Sequence, residues 1–160
     1  MTFNWKLTER LVALGVFVWA TVLYLLTVAP TASFWDSGEF IAIANRLQVS
    51  HPPGAPFYML VGRLFSMFVP EAYVSLAVNL VSVFASSLTI LLTHLIIVRI
   101  AREWQSEDSP STLERIAILA GGVIGALTFA ATDSFWFTAV ESEVYALSMF
   151  FTAIVVWLIM

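Results

Sequence analysis

The chain has 160 residues, of which 60% are hydrophobic and 11% are charged, and its mean hydropathy is +0.91. Soluble domains carry roughly 25% charged residues, so this composition excludes a soluble globular domain and indicates a membrane protein. The net charge of −4 argues against a nucleic-acid-binding surface, and the lack of cysteine excludes disulfides, thiolate metal sites and cysteine nucleophiles.

Four apolar segments make up most of the chain. They cover residues 11–28, 73–98, 116–132 and 144–160. Each is close to the roughly 20 residues that a helix needs to cross a bilayer, so we predict an all-α, polytopic bundle of transmembrane helices. The last segment is still apolar at Met160, without the basic flank that usually follows a span. We therefore expect residues 1–160 to be the N-terminal part of one longer transmembrane domain.

Basic residues predict the orientation of these spans. Lys6 and Arg10 precede the first span, and residues 99–115 contain three arginines. By the positive-inside rule both regions lie in the cytoplasm, which makes 29–72 and 133–143 loops on the outer side. A cleaved signal peptide is the alternative interpretation of the first apolar segment, but its 18 residues exceed the about 7 to 15 of a signal sequence.

The first outer loop is predicted to hold two helices that lie on the membrane surface. Residues 57–69 are too short for a comfortable span and are interrupted by Arg63. From Asp36 to Leu47, apolar residues recur at helical spacing, which is typical of a short amphipathic helix. Both segments should therefore run along the bilayer instead of crossing it.

The third predicted span carries a row of small residues. Gly121 and Gly125 are four residues apart, and Ala117 lies one turn before them. This spacing allows another helix to approach closely. We predict a packing face here, because no strand precedes these glycines as a nucleotide-binding loop would require.

Ionisable side chains are concentrated in the first outer loop. They are Asp36, Glu39, Arg46, His51 and Arg63. Asp36 and Glu39 are three residues apart at the start of a predicted helix, so their carboxylates should point the same way. One interpretation is a capping box, with Ser33 as an alternative cap. The other is a pair of carboxylates that act as general base and as an orienting or cation-holding group.

His51 begins the sequence HPPG. Pro52 forces an extended conformation on the histidine, and Gly54 allows a sharp turn before the next helix. The motif is either a rigid corner or a fixed donor to a phosphate oxygen. Arg46 and Arg63 either reach towards lipid headgroups or help His51 to bind a phosphorylated ligand.

The second outer loop carries Glu141 and Glu143 at the start of the fourth predicted span. In a helix, two such side chains face about 200° apart, so one of them would point inward. Acidic residues also favour the first turn of a helix for electrostatic reasons, and that interpretation stays open.

Three motifs, in order, resemble a known family. They are FWDSGEF at 34–40, HPPGAPFY at 51–58 and SFWFTAVESEVYAL at 134–147. Together they resemble a group of bacterial multi-span proteins, long labelled as of unknown function, that are similar to eukaryotic transmembrane protein O-mannosyltransferases and belong to the GT-C class of glycosyltransferases. The resemblance implies a GT-C-like helical fold in a bacterial plasma (inner) membrane.

The resemblance also implies a reaction on the outer side of the membrane. A sugar, with mannose as the expected one, would pass with inversion from a polyprenyl-phosphate donor to a hydroxyl acceptor, most simply a protein Ser or Thr. Asp36 and Glu39 would be the catalytic carboxylates, with Asp36 as the general base. Substrate binding would fall to Arg46, His51, Arg63, Glu141 and Glu143. No cofactor is required by this pattern, although the donor set is compatible with a divalent cation.

A non-catalytic function is the alternative. The chain could be a structural subunit of a membrane complex, whose loop acids cap helices and contact partner proteins. The two hypotheses differ in the expected length of the protein: a structural subunit predicts a reading frame that stops near residue 160, whereas the transferase requires many more spans.

Overall fold

The computed structural model describes residues 4–52, 54–105 and 111–160, and these parts of the chain are helices joined by short connections without a β-strand. This confirms the predicted all-α class. The helices are α1 (Trp5–Thr27), α2 (Ser37–Arg46), α3 (Pro56–Ser66), α4 (Val74–Glu103), α5 (Thr112–Ala130), α6 (Asp133–Val140) and α7 (Val144–Ile159). A single 3-10 turn, Glu71–Tyr73, precedes α4.

Three helices are long and apolar enough to cross a membrane: α1, α5, and α4 together with its preceding turn. The fourth predicted span is different. The α7 helix has 16 residues, and it meets the criterion only together with α6, from which it is bent by 111° at a short break. The pair is either a broken span or a re-entrant segment, so a separate fourth span at 144–160 stays a prediction.

The α4 helix is the centre of the fold. The most apolar window of α4 is 56% buried, against 22% for those of α1 and α5. Because α4 has no charged residue before Arg99, it can be enclosed by α1, α3, α5, α6 and α7 without burying a charge. The outward faces of α1 and α5 carry exposed residues such as Leu14, Val18 and Ile124, as expected for surfaces against lipid.

Small residues let α5 approach α4, but not the pair predicted from the spacing. A Cβ added at Gly122 would lie 2.6 Å from Val98 Cγ2, and one at Gly125 would lie 2.8 Å from Ile97 Cδ1. At Gly121, no described atom would lie within 4 Å. The predicted packing face is therefore confirmed for Gly125 and wrong for Gly121, which is exposed; Gly122 faces α4 in its place. The spacing of small residues does not fix the rotation of a helix about its axis.

Two contacts of arginine side chains join the helices at one end of the bundle. Arg102, at the end of α4, pairs with Glu9 of α1. Arg115, near the start of α5, lies over the ring of Trp5 at 5.4 Å from its centroid. The basic residues that were predicted to share the cytoplasm thus share one end of the helices, although the side of the membrane stays a prediction.

Asn79 joins the loops at the opposite end. Its amide Nδ2 donates to the carbonyls of Ala29 at 2.7 Å and Thr31 at 3.2 Å. The hydroxyl of Ser142, between α6 and α7, donates to Asn79 Oδ1. Asn79 is fully buried, so one side chain of α4 fixes the start of the first outer loop and the α6–α7 break.

We predict that Gly122→Val destabilises the fold by about 1 to 3 kcal/mol, because the new side chain overlaps Val98 and the ring of His94. Gly121→Val, the matched control, adds the same atoms one residue away into open space. Thermal unfolding of the purified protein in detergent compares the two. Equal unfolding midpoints would contradict the assigned packing face.

Asn79→Leu should destabilise the fold more strongly, by about 2 to 5 kcal/mol, because it removes three hydrogen bonds and leaves buried polar groups without partners. The control is Ser87→Ala, since the buried Ser87 hydroxyl donates only to Val83 of its own helix. The same unfolding assay measures both. A midpoint for Asn79→Leu as high as that of the control would show that the loops are held by other contacts.

Candidate active site

Motif residues from both outer loops line one cavity. It has a volume of about 230 Å³ and lies at the end of the bundle that carries Asn79. Its walls are Asp36, Phe40, Ser50, His51, Gly54, Glu143, Val144 and Tyr145. A larger cavity of about 640 Å³ opens at the opposite, basic end, and none of the motif residues lines it. The smaller cavity is therefore the place where the predicted chemistry is assembled.

Asp36 immediately precedes α2 but does not cap it. Within the described structure its carboxylate makes no capping hydrogen bond, and it is largely exposed. Ser33, the alternative cap, donates instead to the carboxylate of Glu141. The capping interpretation is therefore not realised at Asp36, and its carboxylate lies at the cavity, 3.9 Å from Nε2 of His51.

Glu39, one turn into α2, is fully engaged by His51. One carboxylate oxygen accepts from the His51 backbone N–H at 2.9 Å, and the other accepts from its ring Nδ1 at 3.0 Å. These hydrogen bonds lower the pKa of Glu39. The hydrogen bond to Glu39 and the nearby negative charge raise the pKa of His51. Glu39 thus orients the imidazole, whose Nε2 faces Asp36 Oδ2 at 3.9 Å.

Two unusual backbone conformations place Asp36 and His51. Trp35 has φ of +61°, a left-handed conformation that is rare for a bulky residue, and its side chain is 92% exposed. After the corner, Gly54 has φ of +81°, and its N–H donates to the His51 carbonyl at 2.9 Å. The turn predicted at HPPG is confirmed for the described residues of the motif.

The acidic residues of the second loop lie in extended backbone between α6 and α7, not in a helix. Glu141 is buried beside Ser33, whereas the half-buried Glu143 lines the cavity. Burial raises the pKa of the Glu143 carboxyl, and the negative charges of Glu141 and Asp36 raise it further. Both residues have extended backbone, with φ near −138°, so the angle of about 200° between their side-chain directions that was predicted for a helix does not apply.

Neither predicted arginine reaches the cavity. Arg63 donates to the backbone carbonyl and the side-chain oxygen of Asn45, so it ties α3 to α2. Arg46 is exposed at the end of α2. In the parts of the chain that the structure describes, no lysine or arginine lines the cavity. A role of these two residues in phosphate binding stays a prediction that their positions do not support.

A serine that the sequence patterns did not single out also faces the cavity. Ser50 is 8% exposed, and its hydroxyl has no hydrogen-bond partner among the described residues. Beside it, one ligand atom from each of Asp36, Glu39 and His51 lies within 4.8 Å of the others, so this group could hold a metal ion. A serine next to a histidine carries no recognisable signal, which is why only the fold identifies it.

Fold and site define a polytopic helical membrane protein with an acidic cavity at one end of its helices. The chain belongs to the family described as the N-terminal domain of protein O-mannosyl-transferase TMEM260, which matches residues 36–160. The predicted similarity to eukaryotic O-mannosyltransferases is thereby confirmed.

Two curated relatives carry the same name. Protein O-mannosyl-transferase tmem260 of Dictyostelium discoideum is 25% identical over 146 residues, and TMEM260 of Mus musculus is 25% identical over 142. Each alignment covers 89% of this chain but only 16% and 18% of the respective relative. Neither relative is bacterial, so a bacterial source stays a prediction. No solved structure matches the chain.

Proposed function

We propose that the chain carries the catalytic carboxylates of a membrane O-mannosyltransferase of the GT-C class. The enzyme would move mannose from a polyprenyl-phosphate donor to a Ser or Thr hydroxyl of a protein on the outer side of the membrane. The observation that supports this most is the shared cavity: Asp36 and His51 of the first loop meet Glu143, about a hundred residues later, at the end of the bundle opposite the basic residues.

The reaction needs one base and one leaving group. The acceptor oxygen forms a bond to the anomeric carbon while the bond from that carbon to the phosphate oxygen breaks, which inverts the configuration. The lipid phosphate leaves with the electron pair, and a carboxylate at the cavity takes the acceptor proton. Asp36 and Glu143 are the candidates, since Glu39 has both oxygens occupied by His51. A base of this kind contributes about 10²- to 10⁴-fold in rate.

Carboxylates also suit the transition state. Glycosyl transfer passes through a state with oxocarbenium character, as in glycoside hydrolysis, and nearby negative charge stabilises it. Phe40 and Tyr145 complete the cavity wall beside these carboxylates.

The position at the helix ends fits a lipid-linked donor. Phe34 and Trp35 are 85% and 92% exposed directly before Asp36. Tryptophan is enriched where a bilayer meets water, so this pair is suited to hold Asp36 at the membrane surface. A donor could then keep its polyprenyl chain in the bilayer while its sugar enters the cavity.

The non-catalytic alternative fits less well. It requires the loop acids to cap helices, but within the described structure neither Asp36 before α2 nor Glu143 before α7 makes a capping hydrogen bond through its side chain. Both carboxylates face a cavity instead.

We predict that Asp36→Asn in the full-length protein lowers mannosyl transfer from a polyprenyl-phosphate donor by at least about 10²-fold. The amide has the same shape but carries no charge and cannot accept the proton. Glu71→Gln is the control, because Glu71 is an exposed carboxylate of the same loop outside the cavity. Radiolabelled or fluorescent sugar transfer to an acceptor peptide is the measurement, and unchanged turnover would remove Asp36 from the mechanism.

The orientation can be tested in cells, because the 160 residues contain no cysteine. With Gln48→Cys, an exposed position in the first outer loop, a membrane-impermeant maleimide should label intact cells. With Thr112→Cys, at the opposite end, labelling should require permeabilised cells. Labelling of the second variant alone in intact cells would invert the proposed topology.

A further inference from the structure

We propose that the large cavity at the basic end of the bundle binds one anionic phospholipid of the bilayer, with its phosphate on arginine side chains and its acyl chains along apolar walls. This site lies at the opposite end from the candidate active site. Its occupancy does not rest on the proposed function and can be measured without any sugar transfer.

Four helices border this cavity. Its lining residues come from α1, α4, α5 and α7, and its volume of about 640 Å³ lies within the roughly 300 to 1,000 Å³ of typical ligand sites. This volume suits a glycerophosphate headgroup together with the upper part of its acyl chains. The rest of the chains would stay in the bilayer.

The α4 wall of the cavity changes from apolar to basic along one face. Leu91, Leu95, Arg99 and Arg102 line it at intervals of three or four residues, which place them on the same side of the helix. At about 1.5 Å per residue, Leu91 lies about 12 Å from Arg99 along the helix axis. One leaflet of the hydrocarbon core is about 15 Å thick. The apolar part of this wall therefore has nearly the length of one leaflet, and the arginines follow where headgroups begin.

The α1 wall has the same polarity. Phe17 and Leu14 line its deeper part, and Arg10 lies one turn nearer the basic end. The ion pair between Glu9 and Arg102 holds the basic parts of the two walls at the same level. Leu14 is 54% exposed on the outward face of α1, so the cavity is open towards a surface suited to lipid. An acyl chain can therefore reach the cavity from the bilayer.

The charge of the lining favours an anion. Among the described residues that line the cavity, the arginines Arg10, Arg99 and Arg102 outnumber the single carboxylate, Glu9. Guanidinium groups donate charge-assisted hydrogen bonds to phosphate oxygens, and their planar shape suits phosphate. A headgroup with a net negative charge offsets the positive excess, whereas a zwitterionic headgroup does not.

Arg10 is the arginine that is available for a ligand. It is exposed, and within the described ranges it forms no ion pair, whereas Arg102 pairs with Glu9 and Arg99 contacts Glu103 at 3.4 Å. An apolar helix packed into the cavity would take water from the Arg10 guanidinium without supplying an anion, which costs free energy. A lipid phosphate supplies that anion.

Trp157 indicates where the headgroup lies. Its ring lines the cavity, and the guanidinium of Arg99 lies over it at 5.6 Å from the centroid. Tryptophan is enriched where a bilayer meets water. The ring therefore places Arg99 at the level at which the phosphate of a bilayer lipid is found.

Photolabelling of the full-length protein in phosphatidylcholine vesicles tests the site. The probe is phosphatidylglycerol with a photoreactive diazirine on an acyl chain, and peptide mass spectrometry locates the adducts. We expect saturable labelling of residues 91–95, despite the excess of phosphatidylcholine. Unlabelled phosphatidylglycerol should displace the probe, whereas glycerol 3-phosphate, which has the phosphate but no acyl chains, should not.

Matched variants test the two parts of the site. Arg10→Gln should weaken the apparent affinity for phosphatidylglycerol about 5-fold. Lys6→Gln removes a charge from the same end of α1 but outside the cavity, and it should bind like the wild type. Leu14→Trp should weaken binding at least about 5-fold, because its ring fills the path of the acyl chain. Val18→Trp, at an exposed position one turn further on and outside the cavity, is the control. Unfolding midpoints establish that each variant is folded.

Equal labelling of residues 91–95 in Arg10→Gln and Lys6→Gln would overturn the lipid site. So would a lack of saturable labelling there, which is the result expected if a later helix of the full-length chain fills the cavity. Displacement of the probe by glycerol 3-phosphate would indicate a soluble phosphate as the ligand and would also overturn the lipid. The expected labelling in a protein that transfers no mannose would overturn the proposed function and support the lipid site.

Discussion

The side-chain amide of Asn79, on the central helix α4, uses both of its polar atoms. Its Nδ2 donates to the carbonyls of Ala29 and Thr31, and its Oδ1 accepts from the hydroxyl of Ser142. Hydrogen bonds inside a protein are stronger than in water, and the loss of one partner leaves a buried polar group unsatisfied. The three hydrogen bonds of Asn79 therefore depend on one another. The first outer loop and the α6–α7 break are thereby attached to one point of α4. Glu143 follows Ser142 directly, and Asp36 follows the loop segment that Asn79 holds. The relative position of Asp36 and Glu143, which come from distant parts of the chain, thus depends on a residue whose hydrogen bonds go to neither of them.

The bilayer explains why the charged residues of the bundle lie at its two ends. Ionised side chains cannot remain in the hydrocarbon core at reasonable free energy, so they accumulate at the ends of the apolar helices. At one end, Arg102 pairs with Glu9, and the guanidinium of Arg115 lies over the ring of Trp5. At the other end carboxylates predominate, and the only described cationic candidate at the cavity is His51. That imbalance gives the described part of the cavity an acidic character, in contrast to the basic opposite end of the helices.

The helices and the order of their apolar segments could be predicted from the sequence, because hydropathy and length act locally. Predictions that depended on the direction of a side chain in three dimensions were less successful. Gly121 was expected on the packing face of its helix, but the rotation of α5 places Gly122 against α4 instead. Arg63 lies within the motif-bearing loop, but its guanidinium is used to join two surface helices. Sequence patterns did not decide whether Asp36 caps a helix or acts in catalysis, and none of them indicated Ser50. In each case the deciding contact joins residues far apart in the chain, which no local pattern records.

A main-chain hydrogen bond joins the two outer loops, in addition to their side-chain contacts. The N–H of Ala29 donates to the carbonyl of Val140 at 2.8 Å, at the point where α6 ends and cannot continue its own ladder of hydrogen bonds. Loops that share a main-chain hydrogen bond cannot separate without breaking it, so this bond limits how far the walls of the cavity can move apart. A molecule that enters the cavity therefore has to fit a width that this bond helps to set.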